Sequence, residues 1–156
     1  MIFFNKTRII CWSILGILII VLSLGYVTGT KRVRYLLFFQ NLRNGNISCE
    51  QRYVPVQKFE DPVTALVSEL LLGPQNHDFL RFADPETQAN SCFVRGSDLY
   101  LDLPASILAP KIKTPDFHTV YELLKKNIFL NCKNVKQLYL YIDGRAAYET
   151  AYNTEE

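Results

Sequence analysis

Asp61–Pro74, DPVTALVSELLLGP, is the best-punctuated stretch of this chain, and the reading of the fold starts there. Asp61 carries the short carboxylate of an N-cap, and Pro62 suits the first helical position, where no backbone N–H is needed. Val63, Leu66, Val67, Leu70 and Leu71 recur at helical spacing and mark one apolar face. Gly73, free to take a left-handed conformation, and Pro74 then stop the helix.

Upstream, Arg34–Gln40 (RYLLFFQ) reads as a strand. The turn residues Asn44-Gly45-Asn46 separate it from a returning extended segment, Ser48–Val56, ended by Pro55, so a hairpin is predicted. Downstream, Gln75–Gln88 is a polar connection whose Phe79, Leu80 and Phe82 are expected to fold back onto the body. Ala89–Arg95 and Leu99–Leu103 are two strands around Gly96-Ser97-Asp98. The second alternates, with Leu99, Leu101 and Leu103 on one face and Tyr100 and Asp102 on the other. Thr114-Pro115-Asp116 opens a second helix that runs to about Asn131, with Phe117, Val120, Tyr121, Leu124 and Ile128 inward. Glu122 and Lys126 are placed as an outward ion pair. Lys136–Ile142 is a last strand closed by Asp143-Gly144. This order predicts an α/β (α+β) fold, a single mixed sheet with two helices packed on it.

The first residues are of another kind. Ile9–Val27 runs 19 positions without a charge, roughly 28 Å as a helix and close to a bilayer's hydrocarbon thickness. The chain is therefore expected to carry a short basic tail (1–8), a transmembrane anchor or uncleaved signal (9–27) and a basic juxtamembrane linker (28–33). The folded domain follows (34–148), then a flexible tail (149–156). Lys6 and Arg8 flank the run on one side, and Lys31, Arg32 and Arg34 on the other, so charge alone does not orient it. Lys31, Arg32 and Arg34 are candidates for contact with lipid headgroups.

The net charge of +2 comes wholly from Lys6 and Arg8. The rest of the chain is neutral, which argues against nucleic acid as a partner, since phosphate binding requires a basic excess. Outside the apolar run, the cysteines are Cys49, Cys92 and Cys132, with no C-x-x-C. In an oxidising compartment two of them can pair, with Cys49–Cys92 the candidate bridge; otherwise all are buried thiols.

Set in this order, several motifs resemble the GerMN domain family of sporulation, spore-germination and bacterial envelope proteins. Leu70-Leu71-Leu72-Gly73-Pro74 is similar to its helix-ending Leu-Leu-x-Gly-Pro. Pro85-Glu86-Thr87 is similar to its Pro-x-Gly-Thr, with Glu86 in place of the usual Gly. Leu101-Asp102-Leu103 resembles its Val-Asp-Leu strand end, with Pro104 where Ser is common. Leu138–Gly144 resembles its last strand with the terminal Asp-Gly. The resemblance spans about Arg34 to Tyr148. It implies a fold like the ring-building modules of secretion and sporulation complexes, a location on the outer side of the cytoplasmic membrane, and no catalytic residue or cofactor. It also implies a protein partner in an envelope complex, with self-association as one form.

Motifs for chemistry are sparse. His77-Asp78 and Asp116-x-His118 fall short of the three or four ligands of a zinc site, and Asp116 reads better as a helix-start carboxylate. No nucleophile elbow, phosphate loop or H-E-x-x-H occurs. Instead, if the leucines face the helices, Tyr100, Tyr139 and Tyr141 share the opposite sheet face, with Phe38 joining from the first strand. Such a face is an interaction surface unless the Phe79/Phe82 loop or the C-terminal tail covers it. The competing expectation is an envelope enzyme or ligand-binding domain with a pocket near His77, His118 or Asp102.

Overall fold

A computed structural model describes residues 3–28, 32–55, 61–148 and 151–152, with side chains described over 8–23, 32–55 and 61–148. Lys31 and the tail beyond 152 lie outside the described residues. Helix α1, Phe3–Thr28, belongs to one unit, and the chain from Arg32 onward forms another.

Within α1, apolar side chains from Ile9 to Leu22 are exposed in nearly unbroken succession, so they cover every side of the helix. The hydroxyls of Ser13 and Ser23 donate back to the carbonyls of Ile9 and Ile20, at 2.9 Å in each case. Among the described residues no helix is long and apolar enough to cross a membrane. The described side chains of α1 are those of 8–23 alone.

The second unit begins with the hairpin β1 (Arg32–Gln40) and β2 (Ile47–Pro55). There follow α2 (Pro62–Leu72), β3 (Ser91–Arg95), β4 (Asp98–Leu103), a short 3-10 turn at Ala105–Leu108 and α3 (Phe117–Asn131). Then come β5 (Gln137–Ile142), β6 (Arg145–Ala146) and β7 (Ala151–Tyr152). The leucines of β4 and β5 meet Val63, Leu66 and Leu70 of α2 and Leu124 and Ile128 of α3 in one core, all essentially buried. Each such side chain contributes about 1.5–3 kcal/mol by leaving water.

The expectation of a single sheet is corrected. Strands β3-β4-β5-β6 form one sheet, with β4 and β5 parallel and β7 pairing β5, while β1 and β2 form a separate antiparallel pair. The reason lies in α3. Asn127 and Asn131, one helical turn apart, turn their carboxamides to the free edge of β1. Asn127 receives the Phe38 N–H at 2.8 Å and donates to the Phe38 carbonyl at 3.0 Å. Asn131 does the same for Leu36, at 2.9 and 2.8 Å. A primary amide offers the same donor and acceptor as a peptide unit, so the helix closes the edge where another strand would have joined.

The helix boundaries follow the sequence, with one difference in chemistry. The Asp116 carboxylate accepts from the Thr119 N–H at 3.0 Å and from its hydroxyl at 2.7 Å, a complete N-cap. Asp61 occupies the N-cap position of α2 without any side-chain bond, so Pro62 marks that start. The outward pair is Glu122–Lys125, at 2.7 Å, not Glu122–Lys126. Lys126 is drawn away, its Nζ lying 4.1 Å from the centre of the Phe38 ring.

Candidate interaction face

The two-residue turn Gly96-Ser97, with Gly96 at φ +67°, sets the register of β3 on β4. The parallel pairing of β4 with β5 carries that register one strand further. The face of this sheet opposite the leucines is therefore a grid of three rows. Ser91, Asp102 and Tyr141 form one, Phe93, Tyr100 and Tyr139 the middle one, and Arg95, Asp98 and Gln137 the third. Every one of these positions is exposed or half-buried.

In the middle row the rings stack. Phe93 and Tyr100 lie 5.2 Å apart with planes 11° from parallel, and Tyr100 and Tyr139 4.8 Å apart at 4°. The Tyr139 hydroxyl donates to Gln137 Oε1 at 2.8 Å. Because each inner ring face is taken by its neighbour, the row presents ring edges outward. That geometry does not suit a base or sugar lying flat on the rings, as single-strand RNA recognition requires. It suits a flat apolar contact. Phe93, half exposed at the sheet border, was missed by sequence reasoning; counting back across the Gly96-Ser97 turn from Tyr100 would have found it.

Two expected elements are placed elsewhere. Phe38 sits on the separate hairpin and does not join the tyrosines. The Phe79/Phe82 loop, a candidate cover, runs instead along the end of β1. The Leu80 N–H donates to the Gln40 carbonyl at 2.8 Å, and Phe82 is fully buried 5.0 Å from Phe39. At the end of the domain, Tyr148 stacks on Tyr121 at 4.0 Å and lies near Phe117 on α3, and the side chains of the tail beyond it lie outside the described residues.

The motif residues act as joints. The Asp102 carboxylate accepts from the Gly144 N–H at 3.0 Å, which ties β4 to the turn at Asp143 and Gly144, both at positive φ. Asn90 bridges to Asp143 at 3.0 Å. Beneath β2, buried Arg52 contacts Glu50, donates to Glu69 Oε2 at 2.8 Å and holds the Gly73 carbonyl at 2.9 Å. Glu50 accepts from the Gln75 N–H at 3.1 Å. Arg52 thus covers the carbonyl end of α2, where a cation is favoured. No sequence pattern pointed to it.

The groups considered for chemistry stay apart. His77 is exposed on the loop after α2, His118 is exposed at the start of α3, and Asp102 is occupied on β4. Among the described residues no group of three or more His, Cys, Asp and Glu could hold a metal ion. A groove of about 490 Å3 runs between α2 and residues 85–92, lined by Val67, Leu71, Thr87 and Cys92 among others, with no charged side chain.

Of the two alternatives for the cysteines, the Cys49–Cys92 bridge is not formed and all described cysteines are free thiols, but only Cys132, after α3, is buried; Cys92 on β3 is half-buried and Cys49 on β2 is exposed. Burial pushes the Cys132 thiol up to about 11, with the nearby carboxylate of Asp61 adding to it. Burial also raises Cys92. Thiols held protonated in this way are poor nucleophiles. Arg32 and Arg34 are exposed at the start of β1.

No model of a known protein family matches the sequence. A protein of Treponema pallidum (strain Nichols), named only as an uncharacterized lipoprotein, is 47% identical over 88 residues, covering 56% of this chain and 66% of that protein. Among solved structures, the first GerMN domain of the sporulation protein GerM from Bacillus subtilis matches with a TM-score of 0.56 at 15% identity, over 73% of this chain and 85% of that one. The tandem GerMN domains of the same protein match with a TM-score of 0.57 at 13% identity, over 74% of this chain and 40% of theirs. The chain thus spans under half of the tandem protein, as one domain of it would. At these identities the likeness is one of fold, and the second unit of this chain has the fold of GerMN domains.

Proposed function

We propose that this protein is a membrane-anchored assembly module that presents its GerMN-like domain on the outer side of a bacterial cytoplasmic membrane and works by contact, without catalysis. The observation that carries this reading is the sheet face bearing Phe93, Tyr100 and Tyr139, a flat surface of ring edges bordered by Arg95, Asp98 and Asp102. Apolar area with a polar border is the usual composition of a protein contact.

Anchoring is supported by the uncharged run Ile9–Val27 and by the hydroxyls of Ser13 and Ser23, which turn back onto carbonyls of their own helix and so meet their own donors without water. The lipoprotein relative supports the same side and surface. Arg32 and Arg34 would then lie near the headgroups.

The test is a Tyr139→Ser/Tyr141→Ser double variant of the full chain, cross-linked in intact envelopes beside the wild type. Loss of a specific cross-linked partner, with far-ultraviolet circular dichroism unchanged and cooperative unfolding retained, supports the reading. Unchanged capture removes this face from consideration. A membrane-impermeant maleimide on exposed Cys49 of intact cells tests the side: reaction from outside supports it, and reaction only after lysis sinks it.

A further inference from the structure

The two edges of the β1–β2 pair are treated differently by this fold. Asn127 and Asn131 close the β1 edge at Phe38 and Leu36. Because those two residues turn their peptide groups toward α3, their partners across the pair, Cys49 and Gln51, turn theirs away from β1. Tyr53, opposite Arg34, continues the same alternation. Among the described residues no strand pairs with β2 on that side, and Cys49, Gln51 and Tyr53 are exposed. A nine-residue strand with one open edge is a template for another strand.

The sequence of β2 is self-complementary about Gln51. Read antiparallel against itself, Gln51 faces Gln51, Cys49 faces Tyr53, and Glu50 faces Arg52. On the inner face, Arg52 already contacts Glu50 of its own strand. A second copy would bring its own Glu50 to Arg52 from the side and complete a square of alternating charges. Any register shift sets like charges closer or unpairs them. Residues Cys49, Gln51 and Tyr53, whose main-chain groups point outward, are also those that fall opposite one another in this register, so the hydrogen-bonding phase and the charges agree.

From this geometry we infer that β2 is a homodimer edge: two copies of this chain pair through β2, antiparallel and centred on Gln51, to give a continuous four-stranded sheet. This deepens the assembly reading and rests on it for the class of partner, but it uses a surface separate from Phe93, Tyr100 and Tyr139.

The test is oxidative cross-linking of the full chain in its membrane, in a Cys11→Ser background that removes the exposed helix thiol. With Cys49→Ser/Gln51→Cys, the two introduced thiols oppose each other with Cα atoms about 5.5 Å apart, within the roughly 4.4–6.8 Å that a disulfide spans. Mild copper-phenanthroline oxidation is expected to convert most of the chain to a dimer. Tyr53→Cys is expected to cross-link when Cys49 is present and to lose the product when Cys49 is replaced by Ser, because position 53 of one copy lies roughly 13 Å from position 53 of the other. Absence of product at position 51, or equal product at 53 with and without Cys49, overturns the inference. The Tyr139→Ser/Tyr141→Ser variant is expected to keep the 51–51 product; its loss would move the dimer contact to the aromatic face and sink the β2 edge. Failure of cross-linking beside a Tyr139/Tyr141 variant that still loses its partner sinks the dimer alone and leaves the assembly reading standing.

Discussion

Asn127, fully buried on α3, holds both peptide groups of Phe38 on β1, accepting its N–H at 2.8 Å and donating to its carbonyl at 3.0 Å. The same amide also donates to the Leu123 carbonyl at 2.8 Å within its own helix. One side chain therefore joins the hairpin to the helix that crosses from β4 to β5.

Replacing Asn127 by Leu keeps the branched shape of the side chain but leaves the Phe38 N–H and carbonyl without partners. Each orphaned group costs about 1–3 kcal/mol. The expected loss is about 2–4 kcal/mol in urea unfolding, with the slope against denaturant unchanged. A variant within ~0.5 kcal/mol of wild type would mean that water or a shifted strand replaces the amide. Asn131→Ala, at a half-buried position, is expected to cost less.

Arg52 is the second buried joint. Its guanidinium lies between Glu50 and Glu69 and also holds the Gly73 carbonyl. Removing one partner of a buried ion cluster strands the others, at about 3–5 kcal/mol. Arg52→Ala is expected to lower the thermal midpoint sharply and to expose the turn at Gly73 to limited proteolysis. Arg43→Ala, which breaks the exposed Arg43–Asp78 pair, is the control and is expected to change little.

The Asp116 cap makes stability depend on acid. Its pKa is lowered by the Thr119 hydroxyl and then by the Thr119 amide. A carboxylate depressed on folding adds stability above its unfolded value, and that stability is lost as pH falls through the folded one. Asp116→Ala is therefore expected to melt earlier than wild type near neutral pH. The gap should shrink as pH drops through the carboxylate range and close below it. A gap constant across that range would show that the charge is not what caps the helix.

Thiol reactivity should follow burial. At about pH 8 in the native chain, exposed Cys49 is expected to react with maleimide without unfolding, and buried Cys132 only after unfolding. Burial pushes Cys132 up to about 11, so it holds almost no thiolate at that pH. Prior reduction should change neither rate, since all described thiols are free. Reduction-dependent labelling of Cys49 would restore the bridge to Cys92 that the structure separates.

Much of the fold was legible because it rests on local rules. The helix at Asp61–Pro74 has its apolar spacing and its Gly-Pro stop, and β4 has strict alternation. The tyrosine face followed from the same alternation, since residues two apart on a strand share a side. What misled was the count of sheets and the place of Phe38. Strand β1 has the pattern of any half-buried strand, and nothing in RYLLFFQ says whether its second edge meets a strand or a helix.

That difference marks the boundary between the two kinds of information. The sequence alone determined the uncharged N-terminal run, the order of helices and strands, and which side of each strand is apolar, because periodicity and turn chemistry act over a few residues. Tertiary structure decided that Asn127 would act as a strand edge 89 residues from Phe38, that Arg52 would cover the end of α2, and that Tyr139 would stack on Tyr100. A hydrogen bond or a ring stack between distant segments depends on where both backbones arrive, and no local pattern carries that position.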